Sequence, residues 1–259
     1  MNRLIILLSL FITHFSFANA QQYWITGTAV PGGTQSLQCV APNTYKFYGE
    51  LREGELRIID SEKPRESSRW LVPDAIDANI VNHGLHYKSE TKAGSLPAWQ
   101  VTFSCPYYRF ALHTDTQILQ GEVFQPWGEL FIAGGATEAG WHEGKMLLME
   151  QDVENPCIWT WEGELKNRPD NEEPLSFKFQ GQDRWGPKSI HPYTQGADIL
   201  KEKTFQTGGP DTKWDIHKEG RYRIRIDLFN EVVESQVIKQ TLSLQQSFFR
   251  TINQQFILL

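Results

Sequence analysis

The sequence predicts an all-β protein built as two tandem immunoglobulin-like β-sandwich domains. The chain has 259 residues, enough for one large domain or two of ordinary size, and 40% of them are hydrophobic, as in a folded globular protein. Segments rich in β-branched and aromatic residues alternate with Gly and Pro turn signals, and no segment keeps a helical period over three turns. About seven such short strands in roughly 100 residues are typical of an immunoglobulin-like sandwich.

An internal repeat divides the chain into two copies of one pattern. Gly27 and Gly33 of the first copy match Gly134 and Gly140 of the second, both 107 positions later. The other matches follow in the same order at separations of 114 or 115 positions: Gly49-Glu50-Leu51 with Gly163-Glu164-Leu165, Arg69-Trp70 with Arg184-Trp185, Trp99 with Trp214, and Tyr108-Arg109 with Tyr222-Arg223. A repeat of this length has the size of a self-contained domain. We therefore expect one domain at 21–125 and a second at 126–240.

The strands predicted for the second copy lie between turn residues. In chain order they are Leu130 to Ala133, Lys145 to Met149, Ile158 to Trp161, Ser176 to Phe179 and Tyr222 to Leu228. Turn signals such as Gly134-Gly135, Gly186-Pro187 and Gly208-Gly209-Pro210 separate them. The segment 241–259 is either a docking segment or, as its β-branched and aromatic content favours, a last strand.

The first 20 residues have the pattern of a secretory signal peptide. Arg3 precedes an apolar run, and Ala18-Asn19-Ala20 offers a cleavage site before Gln21. The run is short for a membrane anchor, which is the alternative interpretation. A bacterial lipoprotein would have a cysteine after the cleavage site, where this chain has Gln21. We therefore expect an exported protein without an N-terminal lipid anchor, held in the cell envelope as an outer-membrane associated or periplasmic protein, or secreted.

Three cysteines remain after the predicted cleavage, Cys39, Cys105 and Cys157. In an oxidising compartment the simplest expectation is one disulfide and one free thiol. Cys39 with Cys105 is the pairing we favour, since both lie in the predicted first domain. Three unpaired, buried thiols are the alternative.

Charge and missing motifs argue against several classes of function. The net charge is -6, from 25 basic and 31 acidic residues, so nucleic acid is not an expected partner. The sequence has no G-x-S-x-G, H-E-x-x-H or Walker motif. His83 and His86 have the spacing of a metal pair but no placed third ligand, so we expect no metal and no cofactor. No pair among the acidic residues stands out as a glycosidase pair, and we expect no catalytic residues.

The second copy also carries a series of short motifs in a fixed order. They are Leu130-Phe131-Ile132-Ala133-Gly134-Gly135 with Gly140-Trp141, Phe177-Lys178-Phe179, Gly186-Pro187, Asp211-Thr212-Lys213-Trp214, and Gly220-Arg221-Tyr222 with the strand that follows. Over residues 129 to 235 this series resembles the repeated domain of the SusE and SusF family, starch-binding outer-membrane proteins of Bacteroidetes. The first copy, at 22–120, joins the resemblance through the internal repeat. The resemblance implies β-sandwich modules that bind α-glucans without hydrolysing them.

The resemblance also implies a carbohydrate site made of two aromatic residues and one basic residue, here Trp141, Trp185 and Lys178. Thr212 stands where the family's turn has Asn, so a hydroxyl replaces an amide that contacts sugar. The residue types agree with this chemistry, because the C–H face of a pyranose packs on a flat indole while its hydroxyls need polar partners. Both tryptophans lie beside turn glycines, where side chains are often presented outward. Core packing is the alternative for the tryptophans, and an ordinary solvated strand position is the alternative for Lys178.

Other tryptophans have a structural interpretation. Trp159 and Trp161 alternate within one predicted strand and point the same way, which favours a place in the core. Trp214 recurs in the first copy as Trp99, and a residue kept by both copies is expected to belong to the scaffold.

The resulting expectation is a non-catalytic starch or α-glucan binding accessory protein of the bacterial cell envelope. Its expected partners are a starch-like α-glucan or maltooligosaccharide and outer-membrane glycan-uptake proteins. In the first copy Thr34 matches Trp141, although Arg57 and Trp70 remain, so we expect that domain to bind weakly or not at all and to act as a spacer or docking partner. The alternatives are an envelope protein-interaction module that has lost sugar binding and, less favoured, a small glycoside hydrolase.

Overall fold

The computed structural model describes residues 21–91 and 96–238, and every regular element in them is a β-strand. The prediction of an all-β protein is confirmed. The predicted signal peptide and the 241–259 tail lie outside the described residues. The chain divides between Val123 and Phe124 into two compact units. Within these described residues, no helix has the length and hydropathy needed to cross a membrane.

The first unit is a sandwich of ten strands with a shared core. The strands are β1 (Trp24–Thr26), β2 (Thr34–Ser36), β3 (Gln38–Ala41), β4 (Thr44–Leu51), β5 (Gly54–Ile59), β6 (Trp70–Pro73), β7 (Asn82–Glu90), β8 (Trp99–Val101), β9 (Cys105–His113) and β10 (Ile118–Val123). They pair in the order β2-β1-β5-β6-β7-β10-β9-β4-β3, with β8 beside β5. Strand β7 connects the two halves, because its end pairs with β6 and its start pairs with β10.

Alternating apolar residues explain why the two halves of the first unit face each other. Tyr45 and Phe47 on β4 and Phe110 on β9 are buried, while the residues between them are not. They join Ile25 and Leu56 of the other half in one hydrophobic core. Side chains that alternate in this way on a strand cover one face of a sheet, which is the condition for a sandwich.

The second unit consists of two separate antiparallel sheets with small additions. Its strands are β11 (Phe131–Ala133), β12 (Leu147–Leu148), β13 (Glu150–Gln151), β14 (Ile158–Leu165), β15 (Ser176–Gln180), β16 (Ser189–His191), β17 (Ala197–Asp198), β18 (Gln206–Thr207), β19 (Trp214–Asp215), β20 (Gly220–Asp227) and β21 (Val232–Ile238). One sheet has the order β12-β11-β15-β16-β18, with β19 on β15 and β17 on β19, and the other has the order β13-β14-β20-β21. The five strands predicted for this copy are all present. Trp159 and Trp161 are buried, as predicted for core residues.

The register of the strands confirms most of the internal repeat. Phe177 pairs with Trp214 as Leu56 pairs with Trp99, and both tryptophans are fully buried. Tyr222 faces a glycine of β14 as Tyr108 faces a glycine of β4. Each of these tyrosines donates its hydroxyl proton to a backbone carbonyl a few residues upstream, which is the tyrosine corner of immunoglobulin-like sandwiches.

One match between the copies is wrong. Trp70 faces Ile59 across the ladder of β5 and β6, and the equivalent pair in the second unit is Ser189 and Gln180. Trp70 therefore corresponds to Ser189, not to Trp185, which lies four residues earlier in the turn before β16. The spacing was misleading because β5 and β6 are joined by ten residues, whereas β15 and β16 are joined by eight.

The favoured disulfide is also wrong, since Cys39, Cys105 and Cys157 are all free thiols. Cys39 lies opposite Tyr45 near one end of β4, and Cys105 lies opposite Leu51 at the other end. Six residues of extended chain span roughly 20 Å, far more than the ~7 Å that a disulfide allows between Cα atoms.

Candidate functional site

Trp141 and Trp185 meet on the surface of the second unit and form an angled aromatic pair, here called the Trp platform. Trp141 follows β11 in the connection to β12, and Trp185 lies in the turn between β15 and β16. Their ring centroids are 6.0 Å apart, and the ring planes are inclined by 45°. Trp185 is 39% exposed and Trp141 is half-buried. The structure thus brings together the two aromatic residues that the sequence singled out.

Glycines bring Trp141 to this position. Gly134 and Gly140 form a β-bridge that folds the chain back on itself directly before Trp141. Gly134 has a φ of 152°, and a Cβ atom there would lie 2.3 Å from the Cα of Phe177. Only glycine permits so close an approach of two backbones.

One hydrogen bond holds the Trp141 indole by its edge, and another holds the backbone of Trp185. The Trp141 Nε1–H donates to the carbonyl of Glu172 at 2.8 Å. The backbone N–H of Trp185 donates to Oε1 of Glu143 at 2.7 Å. Because these contacts use a ring edge and a backbone group, neither occupies an aromatic face.

Lys178 lies between the platform and the sheet. It is the central residue of β15, faces Ala133 on β11, and is only 8% exposed. Its Nζ donates to Oδ1 of Asp211 at 2.6 Å and lies 4.8 Å from the ring centroid of Trp185. A lysine this buried needs an anionic partner, and Asp211 provides it. The alternative interpretation of Lys178, an ordinary solvated strand position, does not agree with this burial.

A second lysine completes the charge arrangement. The Nζ of Lys213 lies 5.7 Å from the ring centroid of Trp141 and 3.4 Å from Oδ2 of Asp211. Each indole therefore has one ammonium over its ring, and both ammonium groups contact the same carboxylate. Partial burial raises the pKa of Asp211, but the hydrogen bond and charge of Lys178, together with the charge of Lys213, outweigh it and hold that pKa below its usual value.

Thr212 lies next to Asp211, but its hydroxyl already has a partner. The Thr212 Oγ1–H donates to the carbonyl of Pro192 at 2.5 Å, and its own carbonyl accepts from Nδ1 of His191 at 2.9 Å. The proton of the Thr212 hydroxyl is thus committed to the protein, and only its oxygen lone pairs are left to contact a ligand. Thr212 fastens the turn that carries Asp211 to the end of β16.

The buried side chain of His191 also holds that turn, through its hydrogen bond to the Thr212 carbonyl. It is 3% exposed, and its Nε2 lies 2.7 Å from Oγ of Ser189. Because the Thr212 carbonyl can only accept, Nδ1 carries the proton, and the Ser189 hydroxyl donates to Nε2. Burial is the main cause that lowers the pKa of His191 below its usual value, and the nearby lysines add to it.

Ser189, His191 and Asp211 are residue types of a hydrolytic triad, but their geometry differs from one. The His191 Nδ1 proton goes to the Thr212 carbonyl, and Oδ1 of Asp211 is 3.8 Å away. Ser189 is 8% exposed, so its hydroxyl does not face a bound substrate. The set is better described as a hydrogen-bonded support for the platform.

Asp211, Lys213 and His191 were not identified from the sequence. Asp211 and Lys213 flank Thr212 in the turn before β19, and their charges were the signal that the sequence offered. His191 had no local signal, because its role depends on contacts 21 residues away. Elsewhere, residues 21–91 and 96–238 contain no group of three His, Cys, Asp or Glu side chains placed to hold a metal ion.

Comparison with known proteins gives one structural likeness. The sequence matches no protein-family model and no curated protein at a significant level. The chain is similar to SusF from Bacteroides thetaiotaomicron, with 11% identity over 85% of this chain and a TM-score of 0.39. It spans about half of that protein's length, 49%. A TM-score this low says nothing about function, and the candidate site is therefore described by its own geometry alone.

The first unit has no Trp platform at the equivalent positions. Thr34 occupies the position that corresponds to Trp141. It faces Thr26 across the ladder of β1 and β2, and its hydroxyl donates to the Thr26 hydroxyl oxygen. Arg57 takes the position of Lys178, but Trp70 does not take that of Trp185. Both aromatic positions are therefore changed, not one as the sequence comparison predicted.

Proposed function

We propose that the second unit binds a neutral α-glucan on the Trp platform and does so without catalysis. The observation that carries this proposal is the pair of indoles, 6.0 Å apart and inclined by 45°, with Lys178 and Asp211 at its base. Indole faces suit the C–H faces of successive sugar rings, and the ammonium and carboxylate groups suit their hydroxyls.

The shape and charge of the platform support the choice of ligand. Two inclined rings follow a curved chain better than a flat one, and α-linked glucans are curved. The two lysines are neutralised by Asp211 and by Glu173, whose Oε2 lies 3.5 Å from Nζ of Lys213. A site with balanced charges favours an uncharged ligand over an acidic polysaccharide.

The proposal extends to export and to partners. The pattern of residues 1–20 supports export to the cell envelope, where a glycan-binding accessory protein would act beside outer-membrane glycan-uptake proteins. A shallow site that buries few sugar atoms should bind modestly, with a Kd of about 10 μM to 1 mM.

Titration calorimetry with maltoheptaose, and affinity electrophoresis in amylopectin, pullulan and a β-glucan, test the proposal. We expect the wild type to bind the α-glucans, and Trp141→Ala to weaken binding at least about tenfold, which corresponds to 1.4 kcal/mol. Leu148→Ala is the matched control, since Leu148 is an exposed apolar residue of the same unit, at 62%.

Two results would count against the proposal. Absence of binding to every α-glucan would favour a protein-interaction module. Release of reducing sugar by the purified protein would show that the unit is a glycoside hydrolase.

A further inference from the structure

Two chain segments of the second unit carry the indoles of the Trp platform, and hydrogen bonds join these segments directly. The first segment, residues 141–146, begins with Trp141, and the second, residues 182–188, contains Trp185. Glu143 of the first segment accepts, through Oε1, the backbone N–H of Trp185 at 2.7 Å. The two indoles are therefore connected by a link of their own, in addition to the sheet from which both segments emerge.

Asp183 links the same two segments in the opposite direction. Its Oδ1 accepts from the backbone N–H of Met146 at 3.2 Å, and its carbonyl accepts from that of Gly144 at 3.1 Å. Gly144 has a φ of 72°, a left-handed conformation that glycine adopts without strain. Each segment thus supplies a carboxylate that accepts a backbone N–H of the other. We call Glu143 and Asp183 the linking carboxylates.

The linking carboxylates supply acceptor oxygens to the platform. Glu143 is exposed and Asp183 is half-buried. Within the part of the chain that the structure describes, neither forms an ion pair. The N–H groups that they accept could equally be accepted by the neutral amide oxygen of Gln or Asn. Their contribution is therefore a connection between two loops, and it does not depend on a buried charge.

The first unit lacks both the indole pair and this connection. Its equivalent segments are residues 27–33, between β1 and β2, and residues 60–69, between β5 and β6. Among the described residues, no hydrogen bond joins these two segments. A sandwich with this strand order thus forms without such a link. In this chain the link is present in the unit that has two indoles to hold.

We infer that Glu143 and Asp183 are positioning residues of the Trp platform, and that they fix the inclination of the two indoles before a ligand arrives. The consequence for binding rests on the proposed function. A binding group must be held to within about 0.5 Å and 10 to 20° of its productive geometry, and rigid loops lose less conformational freedom on binding. By holding the rings at one angle, the linking carboxylates favour a curved α-glucan over a flat β-glucan.

Far-ultraviolet circular dichroism of the full chain tests the positioning role without any ligand. Two indoles this close couple their ring transitions, and the resulting exciton signal depends on the distance and the angle between the rings. Trp185→Phe removes the coupling, so the difference between a protein and its Trp185→Phe counterpart isolates the pair. We expect Glu143→Ala with Asp183→Ala to lose most of this difference signal. The same double variant should bind maltoheptaose at least about fivefold more weakly and discriminate less between amylopectin and a β-glucan.

Two controls separate positioning from a general loss of stability. Glu143→Gln with Asp183→Asn keeps an acceptor oxygen at each position and should retain the affinity within about twofold, together with the exciton signal. Asp152→Ala is the matched control, because Oδ1 of Asp152 accepts two backbone N–H groups at 2.9 Å in the turn between β13 and β14, in the other sheet. It should lower the thermal midpoint and leave the exciton signal unchanged.

The outcomes distinguish this inference from the proposed function. A wild-type exciton signal in the double alanine variant would overturn the positioning role, and so would an equal loss in Asp152→Ala. Loss of the signal with wild-type affinity for maltoheptaose would overturn the connection between ring angle and binding. A wild type that binds no glucan would overturn the proposed function, while the exciton signal would still decide whether the linking carboxylates set the ring geometry.

Discussion

Lys178 and Asp211 form the ion pair at the base of the Trp platform, with Nζ 2.6 Å from Oδ1. In the first unit, Arg57 occupies the place of Lys178 and donates to the carbonyl of Leu96 at 2.9 Å. Leu96 stands 115 positions before Asp211, the separation seen for Trp99 and Trp214. Both units therefore hold the basic residue of the central strand against the same turn. In the second unit this turn supplies a carboxylate, whereas the carboxylate beside Arg57 is that of Glu55 on its own strand, at 3.1 Å.

Asp211→Asn should weaken both the platform and the second unit. The substitution keeps the size of the side chain but removes the negative charge that neutralises the buried Lys178. We expect the free energy of unfolding to fall by about 1 kcal/mol, less than for a fully buried pair because the Asp211 side chain is 62% exposed. Affinity for maltoheptaose should fall about tenfold. Denaturant unfolding and calorimetry measure the two effects.

Asp170→Asn is the matched control for that experiment. Asp170 is an exposed carboxylate in a turn of the same unit, and its replacement should change stability by less than about 0.5 kcal/mol. If Asp211→Asn behaved like Asp170→Asn in both measurements, the ion pair would have no role in holding the platform.

His191 should make the second unit less stable in mild acid. Burial lowers the pKa of His191 in the folded state, so the unfolded chain takes up a proton first as the pH falls. The contribution of neutral His191 to the free energy of unfolding is fully present above the pKa of about 6.5 that histidine has in the unfolded chain. This contribution declines as the pH falls below that value, and the decline stops once the pH is below the pKa of the folded state. The slope is at most about 1.4 kcal/mol per pH unit. Urea unfolding at pH 7.5, 6.5 and 5.5 measures it.

The comparison must separate His191 from His113, whose pKa burial also lowers in the first unit. His191→Asn keeps a hydrogen-bonding side chain but cannot titrate, so its pH slope should be smaller than that of the wild type. His113→Asn isolates the other contribution in the same way. An unchanged slope in His191→Asn would mean that His191 does not change its protonation on unfolding.

Gly134→Ala should disrupt the chain reversal that presents Trp141. A Cβ atom at this position would lie 2.3 Å from the Cα of Phe177, and a φ of 152° is unfavourable for alanine. Strain and overpacking together should cost about 2 to 4 kcal/mol of unfolding free energy. Gly128→Ala is the control, because a Cβ atom there has no neighbour within 4 Å. Equal stability of the two variants in thermal unfolding would contradict the close approach.

The residues of the candidate site that the sequence predicted are those that have a local signal. Trp141 and Trp185 lie beside turn glycines, and Lys178 interrupts an apolar strand, so each is visible within a few residues of chain. Asp211 and His191 are not visible in this way, because their importance depends on which turn packs against which strand. The direction of the Thr212 hydroxyl, toward Pro192, is likewise a product of packing between segments 20 residues apart.

Errors in the sequence comparison have the same origin. Trp70 and Trp185 share a spacing with other matched residues, but two connections of different length lie before them, and the ladder register shows the mismatch. Cys39 and Cys105 belong to the same compact unit, but membership of a unit does not tell which end of a strand each residue reaches. Spacing along the chain predicts strands well and predicts partners across a sheet poorly.

Trp185→Ala should separate binding from stability more cleanly than Trp141→Ala. Trp185 is 39% exposed and its side chain makes no hydrogen bond among the described contacts, whereas the Trp141 indole is half-buried and donates to the Glu172 carbonyl. We expect Trp185→Ala to lower maltoheptaose affinity at least about tenfold while changing the unfolding free energy by less than about 0.5 kcal/mol. Trp141→Ala should lower both the affinity and the free energy of unfolding, with a stability loss of about 1 to 2 kcal/mol from the lost hydrogen bond and packing.

Trp185→Tyr keeps an aromatic face and should retain most of the affinity. If Trp185→Ala bound as tightly as the wild type while Trp141→Ala did not, the platform would consist of one ring, and the 45° angle between the two would have no part in choosing the ligand.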